Sequence, residues 1–211
     1  YQIRRSTSST TGILDYTQSG GEVIVGSSGA PESGRGMLEI LNSGSSMSMS
    51  GGTLIVVREQ TGTPSIASLY LHPATSSITA GTIQIGNTST PASQDITLNI
   101  SPSIYDLTID NTSSNNPTAT LDVSALSLLN DLSIASGTTL DASGLNVSIA
   151  GDFTNSGTYT TGSNTTTFNG NGGSQTVTLS NTTNFYNLTI NNSHATQDTV
   201  SLAGSETAST I

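Results

Sequence analysis

The sequence predicts an all-β chain wound as a parallel β-helix of three sheets. Three observations carry this expectation. Short alternating apolar segments are broken every few residues by Gly, Asn or Ser-Gly. An internal repeat of roughly 30 residues keeps side chains equivalent from copy to copy. The apolar content suits a narrow core better than a thick one.

The chain has 211 residues, of which 32% are hydrophobic and 4% aromatic, with no Trp. That is too apolar for plain disorder, and the length fits one elongated domain spanning residues 1–211. Charged residues make up 9%, and the formal net charge is -10. Lys is absent, and the Arg residues are Arg4, Arg5, Arg35 and Arg58. A nucleic-acid backbone binder needs clustered cations to release counterions, so no nucleic-acid partner is expected. Electrostatic docking on anionic lipid is disfavoured for the same reason. Without Cys there is no disulfide framework, thiolate metal site or cysteine nucleophile. No apolar run approaches a membrane span, so no membrane insertion is expected. The surface must be dominated by Ser, Thr, Asn and Gly, a texture that fits a secreted or cell-surface protein. Tyr1, not Met, begins the chain, which reads as the mature fragment of something longer.

The repeat appears when Gly21, Gly52 and Gly81 are placed in register. Val23, Leu54 and Ile83 then align, as do Val25, Val56 and Ile85. The same two offsets align Leu38, Leu69 and Leu98, and also Ile40, Leu71 and Ile100. Between them stand Glu39, Tyr70 and Asn99, which point outward because strand side chains alternate. A third row of Tyr16, Met47, Ile78 and Leu107 extends one coil at each end. Three segments per coil, in coils of about 27–31 residues across residues 16–109, describe a triangular solenoid.

The second half repeats at longer range. Tyr105-Asp106-Leu107-Thr108-Ile109-Asp110-Asn111 matches Tyr186-Asn187-Leu188-Thr189-Ile190-Asn191-Asn192, an 81-residue unit starting near 105 and 186 if read as three coils. The corners of such a chain turn without helices. Gly21, Gly52 and Gly81 supply positive φ, and Asn111 and Asn192 can do so while bonding locally. A β-sandwich also has many short strands, but it does not predict equivalence at a near-constant coil length.

Gly151-Asp152-Phe153-Thr154-Asn155-Ser156-Gly157-Thr158, Thr167-Phe168-Asn169-Gly170, Gln175-Thr176-Val177 and the Phe185–Asn192 stretch resemble repeats of very large bacterial cell-surface proteins, notably Bacteroidota-type exported adhesins. Ser50-Gly51-Gly52-Thr53-Leu54 and Ala80-Gly81-Thr82-Ile83 resemble corners of the same proteins. The resemblance covers most of the chain from about Gly20 onward. It implies a right-handed parallel β-helix, export to the surface and membership of a long polypeptide. It brings no catalytic residue.

Candidate chemistry is sparse. Asp106 and Asp110 flank one strand, with Asp95, Asp122, Asp131, Asp141 and Asp152 spread beyond. Helical polysaccharide lyases and hydrolases use carboxylate clusters with a basic residue, sometimes with Ca²⁺. Here the four Arg lie in the first 58 residues, and Asn187 and Asn191 replace Asp106 and Asp110 in the longer repeat. Solvated turn carboxylates are the expectation. Asn169-Gly170-Asn171-Gly172-Gly173-Ser174 resembles a calcium-roll turn without its Asp ligand. His72 and His194 have no His or Cys partner at ligand spacing. Thr158/Thr160, Thr165/Thr167 and Thr176/Thr178 show Thr-x-Thr spacing, but a flat ice face needs such pairs at coil spacing. Asn99, Asn111, Asn146, Asn164, Asn181 and Asn187 open Asn-x-Ser/Thr triplets, as composition alone would produce.

The expected function is therefore a non-catalytic stiff spacer or adhesive segment, with no cofactor expected and Ca²⁺ kept as the alternative. Its expected partners are neighbouring domains of the same polypeptide and surface glycans, with outward Tyr70 available for stacking. A carbohydrate-active enzyme on the same fold, and an ice- or crystal-binding module, are the competing expectations.

Overall fold

The computed structural model describes Ile3 and residues 12–27, 33–63, 66–112 and 114–203. Eighteen strands and no helix are found among them. No described helix is therefore long and apolar enough to cross a membrane.

Val, Ile, Leu and Thr recur in the strands, and Gly, Asn and Ser recur in the segments between them. In chain order they are β1 (Asp15–Val25), β2 (Leu38–Ile40), β3 (Ser46–Val56), β4 (Leu69–Leu71), β5 (Thr75–Ile85) and β6 (Asp95–Ile100). Then come β7 (Asp106–Ile109), β8 (Thr118–Leu121), β9 (Leu126–Leu128), β10 (Leu132–Ile134), β11 (Thr139–Asp141) and β12 (Val147–Ile149). The last six are β13 (Phe153–Asn155), β14 (Thr158–Thr160), β15 (Thr165–Phe168), β16 (Gln175–Leu179), β17 (Asn187–Ile190) and β18 (Val200–Ala203).

They form three parallel sheets. The eight-stranded sheet runs β1-β3-β5-β7-β10-β13-β16-β18, the six-stranded sheet β2-β4-β6-β8-β11-β14, and the four-stranded sheet β9-β12-β15-β17. Successive strands of one sheet are separated in the chain by strands of the others, and each pairs in parallel with the nearest earlier or later strand of its own sheet; one such return to a sheet is a circuit.

Val23 pairs with Leu54 and Leu54 with Ile83, and Val25 pairs with Val56 and Val56 with Ile85. Leu38 pairs with Leu69 and Leu69 with Leu98, while Ile40, Leu71 and Ile100 run alongside. Alternation turns these residues inward, and all but the partly buried Val23 belong to the buried core. One inward row continues as Leu107, Leu132, Phe153, Val177 and Leu202. In the later circuits the interior is filled by Phe153, Tyr159, Phe168 and Phe185. Their ring centroids lie 5.8–6.4 Å apart.

Four expectations need correction. First, Tyr16 pairs with Met47, but Met47 pairs with Ser76, Ile78 pairs with Met49, and Leu107 pairs with Ile83. Tyr16 does not belong to a separate strand. It shares the eleven-residue β1 with Val23, and a register shift between them breaks simple offset counting.

Second, Gly21, Gly52 and Gly81 lie inside β1, β3 and β5 at those irregular positions, not at corners. Their φ values of 67°, 82° and 98° bend the long strands. Asn111 and Asn192 do stand in connecting segments, but neither has positive φ. Each works through its side chain. Asn111 Nδ2 donates to Ser136 O at 2.6 Å, and Asn192 Nδ2 to Gly173 O at 2.8 Å.

Third, circuits shorten along the chain. Val23, Leu54, Ile83, Leu107, Leu132, Phe153, Val177 and Leu202 follow at 31, 29, 24, 25, 21, 24 and 25 residues. The early circuits spend residues on eleven-residue strands, and the third sheet begins only at β9, joined to Ile104 by a bridge to Leu128.

Fourth, the 81-residue match is not a structural repeat. Leu107 stands in the eight-stranded sheet and Leu188 in the four-stranded sheet. Leu121 belongs to the six-stranded sheet and Leu202 to the eight-stranded one. The offset is not a whole number of circuits, so equal sequence lands on a different face.

Candidate functional site

The stacking brings three of the sequence-selected carboxylates together. Asp106, Asp131 and Asp152 stand one residue before Leu107, Leu132 and Phe153, which pair in succession, so they form a column on the eight-stranded sheet. Asp106 Oδ1 accepts the Asp131 N–H at 3.0 Å and the Asn130 side-chain amide at 2.8 Å. Asp131 Oδ1 accepts the Asp152 N–H at 2.7 Å, and Asp152 Oδ1 accepts the Thr176 N–H at 2.7 Å. Each carboxylate satisfies a backbone donor of the following circuit. Partial burial pushes the Asp131 carboxyl above the usual range; the Asp152 N–H opposes this, and the negative charges of Asp106 and Asp152 add to it.

The other carboxylates lie apart. Asp110 Oδ2 accepts from Thr112 N and Thr112 Oγ1, Asp141 Oδ1 from Ser143 N, and Asp95 Oδ1 from Thr120 Oγ1. Arg35 is committed to the buried Glu39 at 2.6 Å, whose other oxygen accepts the Gly36 N–H. Arg4 and Arg5 lie outside the described residues. Among the described residues no group of three His, Asp or Glu converges to hold a metal ion. The Asn169–Ser174 turn is organised by Gln175. Its Oε1 accepts the Gly170 N–H, and its Nε2 donates to Ile149 O and Gly151 O.

His72 and Tyr70 do meet, on the outer face of the six-stranded sheet. Their rings pack edge to face at 5.0 Å. His72 Nε2 hydrogen-bonds Asn99 Oδ1 at 2.7 Å, and Ser124 Oγ donates to the same oxygen at 2.9 Å. Because Asn99 Oδ1 takes both bonds, Ser124 and His72 are not arranged as nucleophile and base. His194 serves its own turn: Nδ1 accepts Gln197 N–H at 2.9 Å. Asn99 and Asn164 are buried, whereas Asn146, Asn181 and Asn187 are exposed.

The Thr pairs chosen from sequence fall on three different sheets. Coil-spaced pairs exist nonetheless on the six-stranded sheet. Thr118, Thr139 and Thr158 stand in one column, and Thr120, Asp141 and Thr160 in the next. Their offsets of 21 and 19 residues are shorter than the coils of about 27–31 expected from the sequence.

The same face carries a groove of about 590 Å³ that sequence reasoning missed. Thr97, Thr120, Asp122 and Ser143 supply polar groups, and Ile66, Val123 and Leu145 supply apolar walls. Thr97 and Thr120 are neighbours across β6 and β8, and Asp122 and Val123 form the corner after β8. Ile66 comes from the connection before β4, which is tied to the sheet by Glu59 Oε2 accepting the Asp95 N–H. No protein-family model, curated protein or solved structure matches this chain.

Proposed function

We propose that the chain is a right-handed parallel β-helix, a three-sheet solenoid, and that it acts as a stiff non-catalytic segment of an exported cell-surface protein. The observation that carries this reading is the unbroken inward row from Val23 to Leu202, one residue per circuit through eight paired strands. At about 4.8 Å per strand, that row alone spans roughly 35 Å. A stack of this kind resists bending, because every circuit is hydrogen-bonded to two neighbours.

A Ser-, Thr- and Asn-rich exterior presents many neutral hydrogen-bonding groups, which supports adhesion to surface glycans and contact with neighbouring domains of the same polypeptide. The commitment of Asp106, Asp131 and Asp152 to backbone donors supports a structural use of these carboxylates. Small-angle scattering on the purified chain tests the architecture: an elongated rod of uniform cross-section is expected, and a compact sphere would overturn it. Antibody labelling of intact producing cells tests the location, and label only after lysis would sink it.

A second reading, binding to ice or another crystal lattice, is favoured by the Thr118–Thr139–Thr158 column. Asp141 interrupts the adjacent column. Thermal hysteresis decides between them: none is expected of the spacer.

A further inference from the structure

We propose that the groove beside Asp122 binds an uncharged oligosaccharide, an inference that rests on the surface-segment reading above. Its size, about 590 Å³, lies within the range of small-molecule sites. Its lining is mixed. A sugar ring has a polar edge and an apolar C–H face. Here Thr97, Thr120, Asp122 and Ser143 supply polar groups to the lining, and Ile66, Val123 and Leu145 supply apolar ones.

Two residues carry the inference furthest. Asp122 is half-buried, and among the described residues no group donates to its carboxylate, although its own N–H is used by Leu98 O. Asp106, Asp131, Asp152, Asp95, Asp110 and Asp141 all accept from the protein. A carboxylate left open at a groove accepts two adjacent sugar hydroxyls in charge-assisted hydrogen bonds.

Val123 is the other. It holds φ at 67°, a conformation in which a β-branched residue is an outlier. Counting on from the Thr120–Asp141 pair, Gly144 occupies the same place one circuit later, with φ of 80°. Glycine is the default for this corner. Val123 gains little packing in return, because the residue is 72% exposed. A strained apolar side chain presented at the rim of a groove is explained by contact with a ligand.

Charge selects the ligand further. Asp95 accepts from the lining Thr120 and Asp141 from the lining Ser143, and among the described residues no Arg, Lys or His lines the groove. An anionic glycan is repelled there.

The test is calorimetric titration of the folded chain with cellohexaose, maltohexaose and mannohexaose, with hexagalacturonate as the anionic comparator. Saturable binding of at least one neutral hexaose is expected, with hexagalacturonate weaker. Asp122→Ala should raise Kd by about tenfold or more. Val123→Gly should weaken binding while the melting temperature holds or rises, since Gly adopts this φ freely. Thr158→Ala, on the same sheet but outside the groove, should leave Kd unchanged. Absence of binding by all three neutral hexaoses would overturn the proposal. So would Kd values indifferent to both groove substitutions, or tighter binding of hexagalacturonate. Scattering on the same sample separates the two readings: a rod that binds no hexaose sinks the groove alone.

Discussion

The Asp131 carboxylate accepts the Asp152 backbone N–H at 2.7 Å while standing between two other carboxylates of its column. Burial raises its pKa first, and repulsion from Asp106 and Asp152 adds to that against the N–H bond. A carboxyl whose folded pKa is raised stabilises the fold below its unfolded pKa and loses that contribution as pH rises through the folded value. Asp131→Asn keeps an Oδ1 acceptor and removes the charge. We expect it to raise the melting temperature at pH 7 slightly, by about 1–2 °C, on the scale of an exposed charge interaction. The gain should vanish as pH falls below the ordinary carboxylate range. A gain that persists at pH 3 would rule out the charge as its cause.

Gly21 and Gly52 occupy the same bulge in successive strands, yet substitution should separate them. Both have positive φ, so an Ala at either is strained. A Cβ at Gly21 meets nothing within 4 Å, whereas one at Gly52 meets the Gly20 carbonyl carbon at 2.6 Å. Gly21→Ala should cost about 1 kcal/mol, the strain alone. Gly52→Ala should cost about 3 kcal/mol or more, because the backbone of the layer below must move. Urea unfolding of the pair measures the difference, and equal midpoints would refute it.

This pair also shows what sequence can and cannot reveal. Leu38, Leu69 and Leu98 are legible because buried β-branched and leucine positions recur at an offset that each strand preserves. The Tyr16 row is not, because the bulge at Gly20 and Gly21 inserts residues without any apolar signal. The Tyr105–Asn111 and Tyr186–Asn192 segments match because any strand followed by an Asn turn satisfies the same local rules, whichever sheet it joins. The groove is illegible for a different reason. Ile66, Thr97, Asp122 and Ser143 are far apart in sequence and meet only through the corner geometry of four circuits.

Buried tyrosines make the fold sensitive to alkali. Tyr16 donates to Gln18 Oε1 at 2.6 Å, and burial pushes its pKa up to about 12. Burial also raises Tyr159, against its hydrogen bonds with Thr166 and Asn164. For both, the stabilisation is complete below pH 10, the unfolded value, and is lost as pH rises through the raised one. Ultraviolet titration should show part of the tyrosine absorbance appearing only together with loss of the β-sheet circular dichroism signal. Smooth ionisation of every tyrosine near pH 10 with the fold intact would refute this.

Position along the stack, not residue type, should decide the cost of a core deletion. Leu54 and Leu202 belong to one inward row, but Leu54 is fully buried between Val23 and Ile83. Leu202 is 58% exposed on β18, the last strand of its sheet. Removing a fully enclosed leucine side chain loses its transfer free energy and leaves a cavity that rigid strands above and below cannot close. Leu54→Ala should therefore cost about 2–5 kcal/mol. At Leu202 most of the side chain already meets water, so the same change should cost less than about 1 kcal/mol. Guanidinium unfolding of the two variants supplies the comparison. Comparable losses at both sites would mean that Leu202 is covered in solution and that the row does not stop being buried where β18 ends.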